Sequence, residues 1–373
     1  MLFNTIRRYS STFKELNKYS NKINEKITIN NLLEYKNIKK KHRKYFLNED
    51  LKSRISEKII ELENFPYGIS MMPSIKKVNK WYLQTFKELE KINFNYNETN
   101  LQYNKTLENI YDRHSSTLIT IANGINEYKD HLKSIYGNNF SLGNYLKYND
   151  RGKTIDEYLN NFYTNRISIR LLISHYLELE NPFHNDILQN GIVSINEPLN
   201  NIIHEACDVA SIICEKNYNK SPKVAIKCIG DAPIFPYIKN NMFYIFLEIL
   251  KNSMKGSVDK SNEPNDISIT IYNNNDIVSV KVEDYGIGIK YNNLKKIWSY
   301  FYSTAEIQRM NLIYDDMKDF DKTTPLAGFG YGLPITKISV NYFNDDIFIN
   351  SIEGYGTDVI LHFHKNKNTN FIN

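Results

Sequence analysis

The period of the apolar residues changes once along this chain, near Asn181-Pro182, and that change limits the folds open to it. Before it, apolar residues recur at helical spacing: Leu51, Ile55, Ile59 and Leu62; Val78, Trp81, Tyr82, Phe86 and Leu89; Leu107, Ile110, Leu118, Ile121 and Ile125; Tyr158, Phe162, Ile169, Leu172 and Ile173. Such a stripe is one face of an α-helix, and four long amphipathic helices joined by short polar connections bury their stripes against one another as a bundle. The third stripe reads as one long helix with His114 near its middle.

After the change, strands and helices mix. "KVAIKCI" (223–229), "ISITIY" (267–272) and "IVSVKVED" (277–284) alternate as half-buried strands do, and the "NNND" between the last two suits a hairpin. "DIFINSI" and "TDVILHF" read as closing strands around "EGYG". Helices are predicted over Glu197–Asn217, Pro236–Gly256, Tyr291–Tyr302 and Pro334–Phe343. Hairpin-paired strands with helices between them predict an α/β sandwich, with helices on one face of a mixed, mostly antiparallel sheet. The class is therefore α+β in two domains, a four-helix bundle over residues 20–190 and the sandwich over 191–373.

Composition excludes more than it selects. At 41% hydrophobic and 24% charged residues, the chain is an ordinary globular protein. Arg7, Arg8 and Lys14 are unopposed by acids in residues 1–14, and removing those three charges takes the net charge from +5 to +2. That balance gives no case for nucleic acid as the partner. Cys207, Cys214 and Cys228 form no C-x-x-C, and Cys207 and Cys214 lie two helical turns apart, so neither a disulfide framework nor a structural zinc site is expected. No apolar run approaches the ~20 residues of a membrane span, so no membrane insertion is expected. The start, "MLFNTIRRYSSTF", is rich in Arg and Ser and free of acid, which is how a mitochondrial transit peptide reads, and residues 1–19 are assigned to it.

Chemistry enters through four short stretches. In "FLEILKNSMKG" (246–256), Glu248 and Asn252 share a helix face. An Asn carbonyl can complete a Mg²⁺ shell beside phosphates, and a Glu one turn earlier can act as a base toward whatever attacks a γ-phosphate. In "DYGIGI" (284–289), Asp284 ends a strand, where it can accept a hydrogen bond from an adenine amino group, while Gly286 and Gly288 leave room for the base or its sugar. In "LAGFGYGLPITKI" (326–338), Gly328, Gly330 and Gly332 lead into a helix opened by Pro334, and free N–H groups there suit a phosphate chain. In "GYGTDVILHF" (354–363), Thr357 enters the last strand, where its hydroxyl can reach an adenine edge. Between Thr304 and Pro325 a polar segment reads as an ATP lid.

The order of these four resembles the GHKL-type (Bergerat) ATP-binding fold shared by gyrase, Hsp90, histidine kinases and MutL. "YFYSTA" (300–305), "PLAGFGYGLPI" (325–335) and "EGYGTD" (353–358) narrow the resemblance to the mitochondrial 2-oxoacid dehydrogenase kinases. So do "VNKWYLQTF" (78–86), "DRHSSTLITIANGINEYK" (112–129) and "FYTNRISIRLLISH" (162–175) in the bundle, and the wording lies closer to pyruvate dehydrogenase kinase than to the branched-chain kinase.

The resemblance implies a Mg²⁺- and ATP-dependent protein serine kinase that phosphorylates and inactivates the E1 alpha subunit of the pyruvate dehydrogenase complex in the mitochondrial matrix. It implies a homodimer and contact with the E2 lipoyl domain. By position, Glu248 polarises the acceptor serine, His114 orients Glu248, Asn252 holds Mg²⁺, and Asp284 and Thr357 bind adenine. Gly286, Gly288, Gly328, Phe329, Gly330, Tyr331, Gly332 and Leu333 line the nucleotide, and Ser303 and Thr304 form the lid hinge. Lys255 stands where the family has Arg, and Tyr82, Arg166 and Arg170 match a pocket for pyruvate-like inhibitors from which one family Arg is replaced by Tyr111. The first glycine box is shorter of glycine than the family's, the lid is longer, and the last residues, "HKNKNTNFIN", lack the family's exchanged tail. Three other functions stay open at this point: a branched-chain 2-oxoacid dehydrogenase kinase, a histidine kinase using His114, and an ATP-gated binding module.

Overall fold

The computed structural model describes residues 10–22, 24–92, 94, 100–137, 154–181, 189–300, 302 and 331–366. The helices are α1 (Ser10–Ser20), α2 (Ile29–Tyr35), α3 (Lys40–Glu63), α4 (Pro73–Lys91), α5 (Asn100–Arg113), α6 (Thr117–Tyr136), α7 (Ile155–Glu180), α8 (Leu199–Tyr218), α9 (Lys239–Lys260) and α10 (Gly332–Tyr342). The strands are β1 (Gln189–Asn190), β2 (Val193–Ser194), β3 (Val224–Ile229), β4 (Tyr237–Ile238), β5 (Ile267–Asn273), β6 (Ile277–Asp284), β7 (Asp346–Ile352) and β8 (Gly356–His364). Contacts divide the chain into two compact units that part after Glu180, except that Thr28–Glu34 groups with the second. Among the described residues no helix is long and apolar enough to cross a membrane.

In the first unit α3 packs on α1, α4 and α7, α4 packs on α6, and α5 packs on α7. The predicted stripes are its core: Ile55, Ile59, Val78, Phe86, Leu107, Ile121, Ile125 and Phe162 have no exposed surface. The third stripe, however, belongs to two helices. α5 stops at Arg113 and α6 starts at Thr117, with a turn at His114–Ser116. The reason lies elsewhere in the chain: Arg166 of α7 donates through Nη2 to the carbonyls of His114 (3.1 Å) and Ser115 (3.3 Å), oxygens that a continuous helix would use itself. α1 is part of this unit, with Leu16 and Tyr19 buried and the Tyr19 carbonyl accepting from Ser53 Oγ at 3.1 Å.

The second unit is built on a five-stranded sheet of order β3-β5-β6-β8-β7, in which β3 and β5 run parallel and all other neighbours antiparallel. Ile267, Ile269, Ile271, Val278, Val280, Val282, Leu361 and Phe363 alternate onto one face and pack against Ile202, Ile245, Phe246, Ile249 and Leu250 of α8 and α9. Cys207 and Cys214 are buried on α8 as free thiols. Two predicted helices are corrected. Tyr237–Ile238 is a strand paired antiparallel with β2, so the helix begins at Lys239, and it runs on to Lys260. Among its described residues, Tyr291–Tyr302 holds two 3-10 turns, Tyr291–Asn293 and Lys296–Trp298. The buried anchors among them, Ile297 and Tyr300, are too few to stabilise a full helix.

Candidate active site

α9 lays its apolar side on the sheet and carries Glu248, then Asn252 one turn on, then Lys255 and Gly256 a further turn on, along another. Glu248 is only 5% exposed, while Asn252 is exposed and Lys255 half-buried. A carboxylate so buried needs partners. Lys251 Nζ donates to its Oε1 at 2.6 Å, and its Oε2 lies against the α-carbon of Gly332. A Cβ at Gly332 would sit 2.5 Å from that oxygen, so any side chain at the first residue of α10 would push the Glu248 carboxylate out of its place. The predicted catalytic acid and the end of the G-x-G-x-G stretch are thus brought together. Tyr331, just before α10, is buried with its ring 5.1 Å from that of Tyr300, and Leu333 is half-buried in the first turn. Ser303, Thr304, Gly328, Phe329, Gly330 and the lid segment lie outside the described residues.

Asp284 ends β6 opposite Thr357 of β8. It is 6% exposed, and its Oδ1 accepts from Gly286 N (3.0 Å) and Thr357 N (3.2 Å). Burial pushes its pKa up, and those N–H groups together with the Ser253 hydroxyl of α9 oppose the shift by holding the charged form.

The glycines after Asp284 have a reason that the sequence does not display. Gly286 approaches α9 backbone to backbone: Ile287 N donates to Gly256 O at 3.0 Å, and a Cβ at Gly286 would lie 2.5 Å from the Gly256 carbonyl carbon. Gly288 has φ +66° and is closed in by the Ile352 carbonyl, while Gly354 N donates back to Ile287 O at 2.8 Å. These positions lack side chains so that loop, helix and turn can meet. Lys260 Nζ adds bonds to Tyr285 O (2.8 Å) and Tyr355 O (3.3 Å). Sequence reasoning missed Ser253, Gly256, Lys260 and Ser351; a glycine inside a helical pattern was the one available signal, for Gly256.

His114 sits in the helical unit, 4% exposed. Its Nε2 is 2.8 Å from Thr85 Oγ1, its ring is 4.3 Å from that of Tyr82, and Arg113 Nη1 reaches the same Thr85 oxygen at 2.9 Å. Burial, with the positive charge of Arg166, Arg113 and Arg170, lowers its pKa well below 6.5, so the imidazole is neutral. Arg166 is buried and its own pKa falls to about 10, while the Arg170 guanidinium lies 3.8 Å above the Tyr111 ring. Tyr82, His114, Arg166, Arg170 and Tyr111 therefore form one cluster.

Comparison with known proteins covers both units. A family described as mitochondrial branched-chain alpha-ketoacid dehydrogenase kinase matches residues 26–204, and one described as histidine kinase-, DNA gyrase B-, and HSP90-like ATPase matches residues 239–367. The chain is 32% identical over 328 residues to a mitochondrial [pyruvate dehydrogenase (acetyl-transferring)] kinase of Arabidopsis thaliana, covering 86% of this chain and 84% of that one. It is 28% identical over 370 residues to isozyme 3 of the same kinase from Homo sapiens, covering 94% and 85%. A relative of that name from Ascaris suum is 28% identical over 332 residues, covering 85% and 76%.

Proposed function

The chain belongs to the mitochondrial 2-oxoacid dehydrogenase kinase family, and on that premise we propose that it is an ATP-dependent protein serine kinase that phosphorylates and inactivates the pyruvate dehydrogenase complex. It binds ATP and acts in mitochondria. The finer reading places it in the matrix, with the E1 alpha subunit as substrate, a homodimer as the working form and the E2 lipoyl domain as an anchor.

One observation carries the chemistry: a buried carboxylate, Glu248, pinned between Lys251 and Gly332, stands one helical turn before the exposed Asn252. In this reading Glu248 draws the proton from the acceptor serine hydroxyl, and neutral His114 helps to orient it. Asp284 and Thr357 hold adenine; Gly286, Gly288, Ser303, Thr304, Gly328, Phe329, Gly330, Tyr331, Gly332, Leu333 and Lys255 surround the nucleotide. Catalysis is then positioning and charge stabilisation more than covalent work.

The donor set fits Mg²⁺ held mainly by phosphates. Among the described residues no group of three or more His, Cys, Asp or Glu could hold a metal ion by itself. The exposed Asn252 offers a single neutral oxygen, as suits an ion that keeps phosphate and water ligands. When bound, the ion would neutralise developing phosphate charge.

Tyr82, Arg166 and Arg170 are proposed to take a small carboxylate inhibitor, with the two guanidiniums one turn apart on α7. The leader expected over residues 1–19 is proposed to be cut before α1, leaving α1 in the mature chain, because Leu16 and Tyr19 are buried against the bundle.

The test is phosphotransfer from labelled Mg-ATP with purified pyruvate and branched-chain dehydrogenase complexes supplied separately. Acid-stable label on E1 alpha of the pyruvate complex is the expected result. Label on the branched-chain complex, or acid-labile label on this chain that is lost in His114→Gln, would overturn it.

A further inference from the structure

Ser351 stands on β7, opposite Thr357 of β8, and makes more hydrogen bonds than a strand serine needs. Ile289 N donates to its Oγ at 2.8 Å, the same Oγ donates to Gly356 O at 3.0 Å, and Thr357 Oγ1 is 2.8 Å away. A serine hydroxyl has one hydrogen and two acceptor lone pairs. Its hydrogen is committed to Gly356 O and one lone pair to Ile289 N–H. The bond to Thr357 must then use the remaining lone pair, so the Thr357 O–H is the donor in it. Thr357 Oγ1 has spent its only hydrogen and can now only accept.

Across the strand pair, Thr357 N donates to Asp284 Oδ1, whose carboxylate also accepts. Two adjacent side chains, Asp284 and Thr357, are therefore acceptors with no hydrogen to give. The exocyclic 6-amino group of a purine carries two N–H donors, one for each of these acceptors. A 6-oxo purine brings an acceptor to the same position, its N1–H lying one atom farther along the edge, and so leaves acceptor facing acceptor there, which costs binding.

We propose that Ser351 is a positioning residue for base selection: it sets the polarity of the Thr357 hydroxyl and so makes the site prefer a 6-amino over a 6-oxo purine nucleotide. Because Ser351 also takes the Ile289 N–H, it ties the Asp284–Ile289 loop to the last hairpin, and the floor and the edge that reads the base are held by one hydroxyl. The proposal rests on the reading of Asp284 and Thr357 as the adenine site.

The experiment measures Kd for Mg-ATP and Mg-ITP by calorimetry on the full chain and on Ser351→Ala, Ser351→Cys, Thr357→Val, the Ser351→Ala/Thr357→Val pair and Asp284→Asn. Cysteine fills nearly the same space with a poor hydrogen-bonding group, so it separates lost polarity from lost packing. The expected result is that Ser351→Ala and Ser351→Cys each reduce the ATP-over-ITP preference about tenfold, a loss of about 1.4 kcal/mol in discrimination, with little change for ITP. The double variant should be no less selective than Thr357→Val alone. An equal loss for both nucleotides, or an unchanged preference in Ser351→Cys, overturns the role of Ser351. An unchanged preference in Asp284→Asn instead overturns the adenine site itself, whatever Ser351 does.

Discussion

Asp284 can lose its carboxylate without opening either core, because its partners are two loop and strand N–H groups and one hydroxyl rather than packed side chains. Asp284→Ala should therefore weaken ATP binding by roughly ten- to a hundredfold, the ~1.5–3 kcal/mol of a hydrogen bond to a charged group, while the helical circular dichroism signal stays unchanged. Unchanged nucleotide affinity would sink its assignment. Glu248→Gln should behave the opposite way, keeping ATP affinity and losing about 10²–10⁴ in transfer rate in a single-turnover assay. His114 makes a prediction about pH. Its folded pKa lies well below 6.5, so the unfolded chain takes up a proton near that pH that the folded chain refuses. The contribution is complete above pH 6.5 and is lost as pH falls toward the folded pKa, at about 1.4 kcal/mol per pH unit. Urea titrations at pH 7.5 and 5.5 should show a drop of about that size in the wild type beyond any drop in His114→Gln. Matching drops would mean that the imidazole is not held neutral.

At the scale of elements, the informative cases are those in which a local pattern was overruled. The stripe through Leu107, Ile110, Leu118 and Ile121 is periodic enough to suggest one helix, yet Arg166 takes the carbonyls at His114 and Ser115 and the helix divides there. The division buries His114 against Thr85 and Tyr82. α1 offers a test of a different kind. Leu16 and Tyr19 are buried on α3, and large side chains of that sort are worth about 1.5–3 kcal/mol each. A chain lacking residues 1–9 should melt as the full chain does, whereas one lacking residues 1–19 should melt several degrees lower by calorimetry. Equal melting would show that α1 adds nothing to the unit and would free the whole 1–19 segment to be leader.

At the scale of the molecule, the hydrogen bonds described for Glu248, Asp284, Gly286, Ser351 and Thr357 join residues of the second unit. A fragment of residues 189–373 should therefore fold and bind ATP within about tenfold of the full chain, an RT ln 10 of about 1.4 kcal/mol, in a fluorescent-nucleotide displacement assay. On the proposed role of His114 it should transfer no phosphate. A fragment that folds without binding ATP would show that the nucleotide needs the helical unit. Thr28–Glu34 is the risk in this design: α2 groups with the second unit, and the Leu33 carbonyl accepts from Asn190 at 3.4 Å.

The order of residues alone carries the two periods, the five main strands with their hairpin, the helices bearing Glu248 and Pro334, and the succession of motifs from which the kinase family followed. All of these are local or nearly local signals: a side chain every two or every 3.6 residues, a glycine pair after a strand, a carboxylate and an amide one turn apart. Packing in three dimensions supplies the rest: why Gly286 must be glycine, where the third helix breaks, that Tyr237–Ile238 pairs with Val193–Ser194, and that Ser351 serves Thr357 and Ile289 at once. The physical reason is common to them. Arg166 meets His114 across 52 positions, and Ile289 meets Ser351 across 62. A hydrogen bond between groups so far apart in the chain leaves no period in either stretch. It exists only once packing has placed a donor within about 3 Å of its acceptor.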